Sequence, residues 1–191
     1  MSEKLKCGWC LGDDLYESYH DNEWGTPLRD DGLLFEFIVL ETFQAGLSWI
    51  TILRKRDNFR VAFDHFDYTR IAHYDEDKVQ SLLQDAGIIR NKLKVRSAIT
   101  NAQIFMDIQK EYGSFSKFIW AYVDDTPIIN TWQHHKDCPA NTPLSDRISK
   151  DLKKRGFKFV GSTVIYAFMQ AIGMVNDHIV DCFRHEQVQE N

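Results

Sequence analysis

The apolar residues of this chain recur mainly at spacings of three and four, the repeat of one face of an α-helix. The clearest case is DDGLLFEFIVLETFQAG, which carries an aspartate at its cap and stops at Gly46. LSWITILRKRDNFRVAF can start a further helix at Ser48. EDKVQSLLQDAG and NKLKVRSAITNAQIFMDIQKEYG both end at glycine, which readily takes the left-handed conformation that closes a helix. SFSKFIWAYV follows, then TPLSDRISKDLKKRG, which ends at Gly156, and finally STVIYAFMQAIG and NDHIVDCFR. Alternation with a period of two is scarce, so no sheet is expected. The stretch from Asp124 to Pro143 holds three of the four prolines and reads as a long loop. The expectation is an all-α fold, one domain over residues 1–191 that two lobes with a pocket between them could share.

Composition narrows the class without choosing a function. A chain of 191 residues that is 43% hydrophobic, 13% aromatic and 27% charged can bury a sizeable core. No apolar run approaches the length of a bilayer span. The start, MSEKLKCGWC, lacks the apolar core of a signal peptide, which makes the cytoplasm the expected compartment. In that setting four cysteines point to free thiols or a metal rather than disulfides. A net charge of −5 argues against an indiscriminately basic nucleic-acid binder but leaves room for a local basic patch.

Candidate chemistry begins near the C-terminus. His178 and Cys182 are four apart, so a helix there would carry them on one face, as half of a tetrahedral metal site. Partners on offer are Cys7, Cys10, His20, His134, His135 and Cys138. Cys7 and Cys10 have the C-x-x-C spacing of zinc knuckles, so Cys10 and His20 rank level as the ligand that completes Cys7, His178 and Cys182. The HHKDC cluster lies in the expected loop and ranks third. The plain alternative is a core cysteine beside a partly exposed histidine. A metal would fasten the first twenty or so residues to the last ten, with no open position for chemistry, and would fix Trp9 and Tyr19, which neighbour candidate ligands.

A second anomaly lies in the first long helix. Its apolar stripe runs Leu33, Leu34, Phe37, Ile38, and the next position on that face is Glu41. A carboxyl there needs a partner, either an arginine inside the protein or a ligand that is cationic or rich in donors. The turn after it carries Gln44, Leu47 and Trp49, which read either as core or as an exposed apolar wedge and a stacking platform. Further on, KKRGFKFVGSTVIYAFMQA joins a basic helix end, a glycine-containing turn and an apolar helix. This resembles the helix-hairpin-helix of DNA glycosylases, whose turn offers backbone N–H groups to a phosphate. Arg147, Lys150, Lys153, Lys154, Arg155 and Lys158 surround it; a solvated amphipathic helix is the plain alternative.

Taken together, CGW, YHDNEWG, LETFQAGLSWITIL, DAGIIRNKLK, LKKRGFKFVGSTVIYAFMQA and VNDHIVDC resemble the DNA-3-methyladenine glycosylase I family of bacteria, from Cys7 to Cys182. The resemblance implies an all-α member of the helix-hairpin-helix glycosylase superfamily. It implies one structural Zn2+ held by Cys7, His20, His178 and Cys182, which selects His20 over Cys10. It implies a base pocket of Tyr19, Trp9, Trp24, Trp49 and Glu41, with Glu41 as the catalytic group. Leu47 would enter the space a flipped nucleotide leaves, and Lys154, Arg155, Lys158 and Gly161 would meet the DNA. The implied substrate is 3-methyladenine in double-stranded DNA, released by a monomer that hydrolyses the N-glycosidic bond. A cationic base suits aromatic faces and a carboxylate, and is already a good leaving group. Relatives that also cut the strand carry a lysine after the last hairpin glycine; Ser162 and Thr163 stand here, so no lyase activity is expected. The first hairpin glycine of the common pattern is replaced by Phe159. Asp177 and Asp181 occupy the zone of the superfamily's usual catalytic aspartate, interleaved with the metal ligands, and neither is expected to do that work. A non-catalytic DNA-binding module would leave the Glu41 cluster without purpose, and a zinc hydrolase would need an open coordination position.

Overall fold

The computed structural model describes residues 4–190. Its centre is α2, Asp31–Gln44, opened by the Asp30 carboxylate, which accepts from the Leu33 N–H at 2.9 Å. Every residue from Leu34 to Phe43 is buried, so this helix is enclosed on all sides rather than along one stripe. At its C-terminal end the Lys94 ammonium donates to the carbonyl oxygens of Phe43 and Ala45 at 2.8 and 2.7 Å. That contact satisfies the carbonyls a helix end leaves open. Lys94 belongs to α7, Lys92–Tyr112, the longest helix, capped by Asn91 and closed by Gly113 at φ 88°. α2 also packs against α8, Phe115–Trp120, and α10, Ser162–Ala171.

The remaining helices cover this centre. α1, Asp14–Asn22, capped by Asp13, has no counterpart among the helices expected from the sequence. The helix expected after Ser48 is two short ones, α3 at Trp49–Leu53 and α4 at Arg56–Ala62, broken at Arg54 and Lys55. α5, Tyr68–Ile71, and α6, Glu76–Gln84, follow; α9, Pro143–Arg155, forms a hairpin with α10; and α11 is Phe183–Gln187.

Two expectations need correction. A sheet does exist, minimally: β1, Ile128–Ile129, and β2, Val175–Asn176, pair in parallel with Ile128 opposite Val175. Two residues are too few to show alternation, and β1 lies inside the long 124–143 stretch, pairing with a strand beyond α10. His178 and Cys182 do not lie on a helix either. The chain turns between them, with Cys182 N–H donating to the Ile179 carbonyl at 2.9 Å, and α11 starts only at Phe183.

The N-terminal segment is stitched to the end of α10. Gly25 and Leu28 donate through their N–H groups to the carbonyls of Gln170 and Ile172 at 3.2 and 3.0 Å. Gly173, at φ 71°, lies so close that a Cβ would stand 2.4 Å from the Thr26 carbonyl carbon, so only glycine fits. This junction sets Trp24 beside α10.

Candidate active site and metal site

Cys7, His20, His178 and Cys182 converge, all buried, with their ligand atoms within 4.8 Å of one another. Cys182 Sγ lies 3.4 Å from His20 Nε2 and 3.7 Å from His178 Nδ1, and Cys7 Sγ lies 3.6 Å from His178 Nδ1. Tetrahedral zinc with ordinary bond lengths separates its sulfur and nitrogen ligands by about 3.6 Å. The outer contacts fit as well. His178 Nε2 donates to the Trp24 carbonyl oxygen at 3.0 Å, and His20 Nδ1 donates to Asp21 Oδ1 at 2.8 Å. Since both acceptors lack protons, each imidazole turns its lone pair to the cluster, as metal-bound histidines do. Asp21 in turn pairs with Lys6 at 2.8 Å. These residues can hold a metal. Cys10 stands outside, its thiol donating to the Cys7 carbonyl at 3.1 Å, and His134 and Cys138 are likewise not in the group.

Beside this cluster lies a cavity of about 240 Å³ lined by Trp9, Tyr16, Tyr19, Trp24, Glu41, Gln44, Trp49, His135, Ala167 and Gln170. All five base-pocket residues expected from the sequence are in its wall. The cysteine–histidine cluster positions three of them. Trp9 follows Cys7 by two residues, Tyr19 immediately precedes His20, and the carbonyl of Trp24 receives His178. The rings of Trp9 and Trp24 meet edge-on at 5.0 Å, and Tyr19 lies 5.6 Å from Trp49.

Glu41 is 3% exposed and forms no ion pair among the described residues. Burial alone pushes its carboxyl up to about 8. The arginine partner that a buried glutamate could have had goes elsewhere: Glu36, also buried, receives Arg56 at 2.6 Å and Arg60 at 2.8 Å. Glu41 Oε2, Trp9 Nε1 and Trp49 Nε1 are all buried without a hydrogen-bond partner. Three orphaned polar atoms in the wall of one cavity is a pattern that structural cores avoid. Burial, with Glu41 next in effect, raises Tyr19 well above the usual phenol range, so it remains a neutral donor.

Leu47 is 41% exposed on the turn before Trp49, where Gly46 takes φ 85°. In the α9–α10 hairpin, Gly156 has φ 104° and Phe159, standing where the common pattern has glycine, has φ 57°. Asn101 braces the loop, accepting from Lys158 N–H at 2.8 Å and donating to the Lys158 carbonyl at 3.1 Å. Gly161 opens α10 with no side-chain cap, so the first N–H groups of α10 are left without a side-chain acceptor at that position, and a Cβ there would meet nothing within 4 Å. Lys154 and Lys158 are exposed. Arg155 is not free: its guanidinium holds Glu111 at 2.6 Å and lies over the rings of Tyr112 and Phe118. Asp177 is buried under several donors, whereas Asp181 is exposed.

Tyr16, His135, Ala167 and Gln170 were not singled out as pocket residues by the sequence. Tyr16 is three before Tyr19 on α1, a spacing that would have found it once that helix was recognised. His135 arrives on the long loop, and Ala167 and Gln170 on α10, through tertiary packing that leaves no local signal.

A mostly helical chain with a glycine-turned hairpin, a cysteine–histidine cluster and an aromatic cavity around an unpaired acid is the architecture at hand. Comparison with known proteins makes it particular. The methyladenine glycosylase family profile matches residues 9–185. The chain is 49% identical over 177 residues to DNA-3-methyladenine glycosylase 1 of Escherichia coli K12, covering 93% of this chain and 95% of that one. It superposes on a crystal structure of 3-methyladenine DNA glycosylase I with a TM-score of 0.91 at 50% identity, over 94% of this chain and 98% of the other. A variant of a 3-methyladenine DNA glycosylase I solved with 3-methyladenine bound gives a TM-score of 0.91 at 35% identity, over 93% and 96%. The chain belongs to the methyladenine glycosylase family.

Proposed function

We propose that this chain is an N-glycosyl hydrolase that releases 3-methyladenine from alkylated double-stranded DNA and leaves an abasic site. The observation that carries the reading is the set of unpartnered atoms Glu41 Oε2, Trp9 Nε1 and Trp49 Nε1 around one aromatic cavity. The relatives' names and the base-bound neighbour support it. A purine alkylated at N3 is cationic within DNA, and it supplies the positive charge that Glu41 lacks in the free pocket. Its arrival favours the ionised carboxylate, while the rings of Trp9, Trp24 and Trp49 offer electron-rich faces. Neutral adenine draws much less from the same groups. Because the charged base leaves easily, binding it in a bond-breaking geometry supplies most of the rate. Glu41 is the group that stabilises positive charge on the departing nucleoside.

To enter the pocket the nucleotide must leave the stack. Leu47, exposed beside Trp49, is suited to fill the vacated space. The uncapped start of α10 at Gly161, with Lys158 on the loop leading into it and Lys154 on the last turn of α9, is the candidate seat for a DNA phosphate. The cysteine–histidine cluster is assigned a structural zinc, since four protein ligands complete a tetrahedral shell and none is left for a reactive water. Zinc would clamp Trp9, Tyr19 and Trp24 in place. Among the described residues no lysine lines the pocket, and on that ground strand cleavage by a lyase step is not expected. Incubation with methylated duplex should yield free 3-methyladenine and abasic sites with the strand intact until alkali is added. Strand breaks without alkali would refute the hydrolytic assignment, and absence of free base would refute the activity.

A further inference from the structure

Gln170 stands in the pocket wall, on α10, and its amide nitrogen is already engaged. Nε2 lies 2.8 Å from Asp177 Oδ2 and 3.3 Å from Cys138 Sγ. Asp177 is a convergence point for donors. Tyr166 Oη and Cys138 Sγ also donate to Oδ2, at 2.7 and 3.1 Å, and Asn130 Nδ2 and Trp132 Nε1 donate to Oδ1, both at 2.7 Å. So many donors leave the carboxylate an acceptor only. A Gln170 amide turned the other way would set its oxygen against Asp177 Oδ2 and give up the shorter, charge-assisted contact. The amide therefore has one orientation, with nitrogen toward Asp177. Its oxygen, Oε1, meets no donor among the described residues and is not enclosed by protein.

We propose that Gln170 Oε1, held by Asp177, accepts a hydrogen bond from the exocyclic amine of the alkylated adenine and so discriminates against alkylated guanine. This inference rests on the reading of the pocket as a base site. An adenine attached to its sugar carries its N–H donors only on that amine, and the amine has two hydrogens. Glu41 and Gln170 are two of the acceptors in the pocket wall that can take them. Guanine presents an oxygen at the same place, which would face the fixed amide oxygen with no proton between them. A site built around a hydrogen bond rejects a ligand that cannot make it far more strongly than a site built on shape. Gln170 is thus a specificity-determining residue and Asp177 its positioning residue.

The test is tryptophan-fluorescence titration of the full chain with three free bases: 3-methyladenine, 3-methylguanine, and 3-methylpurine, which lacks the amine. Gln170→Ala should weaken 3-methyladenine about tenfold, the worth of one hydrogen bond, and change 3-methylpurine less than twofold. Equal losses for both bases, or no loss for either, would overturn the proposal. Asp177→Asn gives Gln170 freedom to turn, so the ratio of 3-methylguanine to 3-methyladenine affinity should rise; a purely structural Asp177 would lower both alike. Should Asp177→Asn fail to fold, Gln170→Ala decides alone. If the wild type binds none of the three bases, the base-site reading itself fails. If it binds 3-methyladenine and Gln170→Ala does not discriminate, only the role of Gln170 falls.

Discussion

Replacing Glu41 by glutamine should stabilise the free protein at neutral and alkaline pH while weakening its work on DNA. The reasoning is electrostatic. Burial holds the Glu41 carboxyl at about 8, against an ordinary value of 4.5. A group raised in this way costs nothing below pH 4.5, where it is protonated both folded and unfolded. As pH climbs, the unfolded chain ionises freely and the folded one resists, so stability declines from pH 4.5 until the folded group also ionises near 8. At about 1.4 kcal/mol per pH unit, the penalty is roughly 3 kcal/mol at pH 7 and levels off near 5 kcal/mol above pH 8. Glutamine has the same shape and no charge to lose. Denaturant unfolding of both proteins from pH 5 to pH 9 measures the difference directly, and contributions from the cysteine–histidine cluster cancel because they are common to both. Glu41→Gln should exceed the wild type by no more than about 1 kcal/mol at pH 5 and by about 3 kcal/mol at pH 7. Parallel stability curves would mean that the cavity hydrates the carboxylate or that an unseen cation pairs with it, and the account of an acid kept for a cationic ligand would lose its basis.

If an ionised Glu41 is what receives the cation, kcat/KM on methylated duplex should fall up to tenfold per pH unit below about 8, with Glu41→Gln flat over the same range; a slope equal in both would assign the titration to another group. Purified wild type should contain one zinc per chain, unchanged in Cys10→Ser and lost or much weakened in His20→Ala; the opposite pattern would transfer the ligand role to Cys10. Trp49→Ala should weaken base binding by roughly 1–3 kcal/mol through lost stacking, read by titration with free 3-methyladenine. Lys154→Glu and Lys158→Glu should each weaken abasic-duplex binding on every sequence and flatten its salt dependence by about one phosphate contact. Arg155→Glu should instead lower stability, because it sets two like charges where the Glu111 pair stands; unchanged unfolding in that variant would refute this placement.

Much of the site could be read from the residues, for identifiable reasons. Glu41 stood out because a charge interrupts an apolar repeat, and that signal is local. The paired cysteine and histidine ligands stood out because each half is close in sequence. Which ligands join was not local: Cys10 and His20 ranked level on spacing, and the family resemblance chose between them before the geometry did. The helix expected for His178 and Cys182 was wrong, since a ligand pair four apart is reached as well by a turn, and the turn around Ile179 brings both into the cluster. The single-stripe reading of α2 missed that the helix is buried on every face, and with it Glu36 and its arginines. β1 and β2 were invisible because two paired residues carry no period. Gln170 and His135 reach the pocket only through folding, and no spacing along the chain announces them.

Single-turnover excision of 3-methyladenine from methylated duplex, wild type against Glu41→Gln, tests the central claim most directly. The wild type should release free 3-methyladenine in a first-order burst. Glu41→Gln, still folded and still binding abasic duplex as the wild type does, should release it roughly 10–100-fold more slowly, the usual cost of removing one group aimed at transition-state charge. Equal rates in the two proteins would contradict the account, and would leave the unpaired acid at the centre of this pocket without a function.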